Sequence, residues 1–248
     1  MVASVLAEQE LKQTIAAAWR ILAARELADG VLGHVSARLG GTDMLIRCRG
    51  PRERGVGFTK TADIRHPHRQ GSSTAPAGTC RRSCPCTAGC TPTVPMSEPS
   101  CMPIPSALLC GLAGLDTRPV FGAFNIPAMR LALAGKPTYP RSVLITRDEL
   151  GDELAAAMGD STVCVLRGHG VAVTGPTVAS AVANAVNLDT LVSVTVSLAR
   201  LGAEPEDHPA DDLAKLPDLG PAFNHELAWR ALVARYDRPV AGHGEDTG

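Results

Sequence analysis

Forty consecutive residues, 66–105, contain no leucine, no aromatic residue, no lysine and no aspartate, yet eight prolines and five cysteines. A segment of that make-up gives little to a hydrophobic core, and its prolines interrupt regular backbone pairing. Both flanks read as ordinary folded sequence, so the fold has to be built from residues before 66 and after 105. A structureless insert of that length inside a compact domain is itself anomalous.

The flanks carry clear periodicity. Over residues 6–28, Leu11, Ile15, Trp19 and Leu22 recur at spacings of four, four and three, which stacks them on one helical face. Asp29-Gly30 is the expected stop, because glycine takes the left-handed cap cheaply. "HVSARL", a Gly40-Gly41-Thr42-Asp43 turn and "MLIRCR" predict a hairpin. Beyond the gap, "SALLCGLAGL" at 106–115 and "AMRLALAG" predict short helices, "SVLIT" a strand, and "RDELGDELAAAMGD" a helix that starts acidic. "TVCVLRGHGVAVTG" predicts a strand, a Gly-flanked turn and a second strand; a long Ala/Val-rich helix follows over 177–202. A polar, Pro-containing connection, a last helix at about 221–236 and a disordered tail at 238–248 complete the chain. Helices and strands alternate without a repeat, which indicates one α/β or α+β domain over residues 1–237.

The net charge of −1, from 24 basic and 25 acidic residues, gives no bias toward nucleic acid or an anionic membrane. Neither a signal-peptide pattern nor an uncharged apolar run of roughly 18 residues is present. The expected compartment is a reducing cytoplasm, where the eight cysteines are thiols or metal ligands rather than disulfides.

Three readings compete for "CRRSCPCTAGC". A zinc site needs paired ligands, but C-x3-C-x-C-x3-C is not the usual C-x2-C pair, and no strand or helix pattern frames it. A disordered Pro/Ser/Thr loop with idle cysteines explains the composition alone. The third reading is translation out of frame, and the genetic code tests it. In "SCMPIP", start each codon one base earlier. The codon overlapping Cys101 and Met102 must then be CAT or TAT, His or Tyr; the next is GCC, Ala; the next is CAT when the proline codon ends in C. With GC-rich codons the stretch becomes "VHAHP". "RSCPCT" becomes "ELPLH", and the whole becomes "ELPLHSRLHTDRPDVGAVVHAHP", running directly into "SALLCGLAGL". A random sequence seldom gains helix, turn and strand patterning when shifted by one base. Compensating indels are therefore the favoured reading, the second close to Pro105 and the first between about residues 64 and 80.

The chain resembles the class II aldolase/adducin family over about residues 8–237. The residues that carry the resemblance are "LADGVLGHVSARL", "LIRCRGP", "GAFNIPAMRLA", "YPRSVLITRDELGDELAAAMGD" and "VLRGHGVAVTG". The restored "ELPLH" and "VVHAHP" are the family's most specific marks. The resemblance implies a three-layer α/β/α fold with a central, mostly antiparallel sheet. It also implies one divalent metal ion (Zn, Mn, Fe or Co) held by three histidines, and a homotetramer with sites between subunits. His169 in "RGHG" is then one ligand; on residues alone, a lone His in a Gly-flanked turn reads as solvated or backbone-bonded. Its partners are the histidines of the restored H-A-H, which alternation puts on one strand face. In the frame as it stands those positions are Met102 and Ile104, neither of which replaces imidazole. The family's acid/base glutamate falls near Arg82 and Ser83, so no catalytic residue is readable in this frame.

Family aldolases hold phosphate with a Gly-Asn loop; here "GHVSAR" has His34 at the asparagine position, which weakens a sugar-phosphate reading. His34, Ser36, Arg47, Arg49 and Gly50 are the candidate substrate-binding residues. The run Arg47, Arg49, Arg52, Arg54 is either a solvated basic turn or a grip on carboxylates. Alternation predicts Arg47 and Arg49 on one face. "GHVSAR" and "RGP" are closest in style to metal-dependent decarboxylases of aromatic ortho-dicarboxylates such as dihydroxyphthalate. The expected activity is therefore carbon–carbon lyase chemistry on a small anionic substrate, with an aldolase as runner-up. A non-catalytic, adducin-like module is the alternative of another class. Cys48, Cys110 and Cys164 read as buried thiols, and His208, His225 and His243 as surface residues. His66 and His68 fall at the suspect junction and do not read as a metal site. The acidic run from Glu204 to Asp212 reads as a solvated connection. Tyr236 is a candidate for reaching a neighbouring subunit's site, as C-terminal tyrosines do in the family.

Overall fold

The computed structural model describes residues 2–40, 43–49, 53–66, 97–102, 125–204 and 206–237, with backbone alone at 2–4, 40 and 97–102. The expected helix at 106–115, the cysteines from Cys80 to Cys90, Cys110, His68, Ile104, Gly50, Arg52, His243 and the tail lie outside the described residues.

Helix α1 (Val2–Ala24) buries the predicted face: Ile15, Trp19 and Leu22 are each 1% exposed or less. It ends earlier than Asp29-Gly30. Glu26 turns left-handed at φ 58°, and the Leu27 amide reaches back to the Leu22 carbonyl at 2.9 Å. That bond satisfies the last-turn carbonyl and aims the chain at the sheet. Strands β1 (Ser36–Gly40) and β2 (Asp43–Arg47) form the expected antiparallel hairpin, with Ser36 opposite Ile46 and a bulge between Arg38 and Gly40. A short β3 (Ile64–Arg65) closes this sheet on the far side of β2.

The second sheet has the order β4-β7-β6-β5 and is antiparallel except for the β5–β6 pair. Its strands are β4 (Ser97–Met102), β5 (Thr138–Tyr139), β6 (Val163–Leu166) and β7 (Gly170–Gly175). Irregular backbone is the sequence expectation for all of 66–105, and β4 corrects it at Ser97–Met102. Ladder bonds come from the main chain, so a strand forms wherever proline permits. The register slips between Ser97 and Ser100, the interval containing Pro99, which has no N–H to give.

Alternation along β6 and β7 makes this sheet the middle layer. Val163, Val171 and Val173 face a core shared with α1 and α4 (Val178–Leu201), through Val178, Val182, Ala185 and Leu188. Cys164, Leu166 and Ala172 face the opposite core with Leu150, Leu154 and Met158 of α3 (Asp148–Met158). Fully burying a Val or Leu in such a core is worth about 1.5–3 kcal/mol. This is the expected α/β/α layering, with α2 (Ile126–Leu133) packed on α4. By length and composition α4 is apolar enough to cross a membrane, although Asp189 interrupts its apolar run. Its apolar face is spent on the core instead, and its Asp189 lies 3.8 Å from Arg25.

"SVLIT" is not a strand. The paired residues are Thr138 and Tyr139; Pro140 cannot donate to the ladder, so the chain leaves the sheet and folds Ile145 into the α3 core. The polar connection contains a short α5 (Ala210–Ala214), and the last helix opens with a wide π-type turn at Ala222–Leu227 before α6 (Ala228–Tyr236). His208 and His225 are half-buried rather than surface residues, and burial pushes the His225 imidazole pKa down. Cys48 and Cys164 are buried thiols as expected, and burial pushes Cys164 up to about 11.

Candidate functional site

The turn between β6 and β7 presents His169. Gly168 at φ 67° and Gly170 at φ 141° bracket it in conformations that side-chain-bearing residues avoid. The His169 amide caps the turn on the Leu166 carbonyl at 3.0 Å, and the Arg167 amide bonds the Tyr139 carbonyl at 3.1 Å. The imidazole is thus carried on a stiff ledge at the sheet edge, half-buried.

His34 comes to the same place from the α1–β1 loop. Burial first, then the neighbouring charges of His169 and Arg49, push its imidazole down to about 4. At neutral pH it is an uncharged ring beside a fixed cation. The structure therefore brings together three residues predicted for the site: His34, Arg49 and His169. The Arg49 guanidinium is exposed and donates to the Val31 carbonyl at 2.6 Å. Ser36 lies behind them as the first residue of β1, 3% exposed, and its hydroxyl has no hydrogen-bond partner among the described residues.

Arg47 is a correction. It does not share the exposure of Arg49, which lies past the end of β2. Its Nη2 donates to Glu53 Oε1 at 2.5 Å and to the Gly55 carbonyl at 3.4 Å, and its guanidinium lies 5.7 Å from the Trp19 ring centroid. With its side chain 5% exposed, it is committed inside the protein. Glu53 has no place in the sequence-derived site. The signal was present: a single acid inside "RCRGPRERG" is the natural partner for one of the four arginines. Arg54 stacks over Phe58 at 4.4 Å on the surface.

Tyr236 packs within its own chain, where its hydroxyl accepts from Arg25 at 3.5 Å and the Arg25 and Arg235 guanidiniums lie 5.9 and 5.2 Å from its ring. Hydrogen bonding from Arg25 lowers its pKa. It borders an open cavity of about 280 Å³ together with Asn187, Phe223 and Leu232.

The donors for a metal are few. No group of three or more His, Cys, Asp or Glu able to hold an ion occurs among the described residues. Met102 is the ladder partner of Val171, two residues past His169. β4 thus ends beside the His169 turn, and the donors among the described residues do not fit a three-imidazole centre.

The sequence profile described as "Class II Aldolase and Adducin N-terminal domain" matches residues 112–196, beginning just past the anomalous stretch. The chain is 44% identical over 229 residues to a 3,4-dihydroxyphthalate decarboxylase of Terrabacter sp. (strain DBF63), covering 90% of this chain and 96% of that protein. It is 40% identical over 251 residues to a protein of the same name from Arthrobacter keyseri, covering 94% and 96%. Among solved structures, an aldolase II superfamily protein from Pseudomonas syringae superposes with a TM-score of 0.73 at 17% identity, covering 93% of each chain.

Proposed function

Because the chain belongs to the class II aldolase and adducin family, we propose that it is a carbon–carbon lyase that decarboxylates a hydroxylated aromatic ortho-dicarboxylate, and that residues 66–105 are an out-of-frame reading of its active form. The observation that carries the substrate is 44% identity across 90% of the chain to a 3,4-dihydroxyphthalate decarboxylase. The site chemistry agrees with it. An exposed guanidinium at Arg49 suits a carboxylate, and a neutral imidazole at His34, where family aldolases have asparagine, suits a hydroxyl or carbonyl better than a phosphate.

The class II aldolase family is typically dependent on a divalent metal. The donor set among the described residues does not fit one, and the two missing imidazoles are those the shifted frame restores at 102 and 104. The start of the family match at 112 also supports the shifted frame. In the reaction the bond from ring carbon to carboxylate breaks, CO2 leaves, and the electron pair on the ring carbon takes a proton. We assign Arg49 to hold a carboxylate, His34 to orient the ring substituent, and the restored glutamate to supply the proton. Ser36 lines the base of the pocket in this reading. We also read the protein as a homo-oligomer, a tetramer by family resemblance, taking a small anionic substrate; Zn, Mn, Fe and Co all suit a three-histidine site.

Resequencing the gene across codons 60–106 is the test. A missing base and a compensating extra base are expected, and the corrected protein should release CO2 from 3,4-dihydroxyphthalate when a divalent metal is added. Release of a carbonyl fragment from a sugar phosphate instead would make it an aldolase. If the DNA encodes the residues as they stand, the enzyme reading fails and an adducin-like module remains.

A further inference from the structure

The α1–β1 loop that carries His34 has no regular structure of its own between Asp29 and Val35, yet it delivers a half-buried imidazole to the His169 turn. Among the described residues, Arg49, Gly55 and Val56 meet it. Arg49 Nη2 donates to the Val31 carbonyl at 2.6 Å. The Val56 amide donates to the Gly30 carbonyl at 2.8 Å. Gly55, at φ +103°, passes so close that a Cβ there would stand 3.0 Å from the Gly30 oxygen.

Gly55 is in turn held by Glu53 and Arg47. Glu53 Oε1 accepts from Arg47 Nη2 at 2.5 Å and from the Gly55 amide at 2.6 Å, while Arg47 Nη2 also donates to the Gly55 carbonyl at 3.4 Å. Arg47 is anchored at the end of β2 and lies against Trp19 of the α1 core. One carboxylate thus ties a rigid strand end to the glycine that touches the loop.

We propose that Arg47 and Glu53 are positioning residues: a part-buried ion-pair clasp that holds segment 53–56 against Gly30 and so fixes the loop that presents His34, with Arg49 beside it, to the substrate. The clasp touches no substrate, so its effect on binding is transmitted through the loop. This inference rests on the site reading above for the identity of the ligand, and on the geometry alone for the clasp.

The test uses the full chain and the variants Glu53→Gln and Gly55→Ala. Glu53→Gln keeps the shape and an acceptor for the Gly55 amide but removes the charge. Amide hydrogen exchange at residues 30–34 and 55–56 is expected to rise about tenfold in Glu53→Gln, with β6 and β7 unchanged, since a charge-assisted bond is lost at one place only. Gly55→Ala should loosen the same loop while leaving the ion-pair partners in place. In parallel, ortho-phthalate binding is measured by calorimetry on the frame-corrected protein, with kinetics on its substrate. A raised KM with kcat within about twofold is expected for Glu53→Gln, because ground-state positioning is lost and chemistry is not. Unchanged exchange at 30–34, or exchange rising equally across the molecule, overturns the clasp. Failure of the unmutated corrected protein to bind ortho-phthalate overturns the substrate reading and leaves the exchange result to decide the clasp.

Discussion

Two arginine–glutamate pairs in this protein have similar distances and opposite surroundings. Arg47–Glu53 is closed at 2.5 Å with side chains 5% and 19% exposed; Arg141–Glu153 is closed at 2.8 Å with both side chains 45% exposed. The first sits between a strand end, the Trp19 ring and the Gly55 backbone. The second joins the segment after β5 to α3 at the surface, with Tyr139 donating a further bond at 2.9 Å. Distance alone would rank them as equals. Solvent separates them, because a charge away from water has no substitute when its partner is removed, whereas an exposed one is rehydrated.

The largest effect should follow from breaking the less exposed pair on one side. Arg47→Met leaves the Glu53 carboxylate with only the Gly55 and Arg54 backbone amides, and urea unfolding should register a loss of about 2 kcal/mol, the buried-pair cost reduced by the water that still reaches Glu53. The double variant Arg47→Met/Glu53→Leu removes the stranded charge as well and should recover most of that loss. If the single and double variants are equally unstable, the cost lies in packing against Trp19 and not in the charge.

Acid should separate the pairs next. Burial pushes the Glu53 carboxyl up, but the Gly55 amide and the Arg47 guanidinium outweigh it and hold it below the ordinary carboxylate range. At Glu153, hydrogen bonds from Arg141 and Tyr139 lower the pKa. For both, the folded value lies below the unfolded one. The stability they contribute is present above the ordinary glutamate pKa and is lost as pH falls through the folded value. Unfolding free energy measured between pH 7 and 3 should therefore fall on the acid side, less steeply in Glu53→Gln and in Glu153→Gln. Repeating the titration in about 1 M salt should erase the Glu153 difference and keep most of the Glu53 one, since screening reaches exposed charges first.

The same contrast explains how much could be read beforehand. The β1–β2 hairpin, the β6–turn–β7 unit and α4 were legible because each is set by local chemistry: turn glycines, alternation and a run of apolar residues. His169 and His34 were legible as site candidates because the first sits in a glycine-bracketed turn and the second takes a family position. Arg47 was misjudged because alternation was carried from Arg47 to Arg49, two positions past where the sheet ends. Glu53 was missed because its pairing crosses a turn and depends on Trp19, thirty-four positions earlier in the chain. The expected strand at 142–146 failed on Pro140, whose missing donor ends β5 after two residues.

The smallest effect should come from the surface pair. In Arg141→Ala, water takes over at Glu153, and the Tyr139 hydroxyl can still donate to the carboxylate. Nothing buried is orphaned, so Tm should move by about 1 °C or less, and amide exchange at α3 should stay as it was. A larger shift would mean that Arg141 Nη1, which straddles both Glu153 oxygens at 2.9 and 2.8 Å, holds the Pro140 bend against α3. The surface pair would then be acting as a second clasp, and exposure would no longer account for the difference between the two.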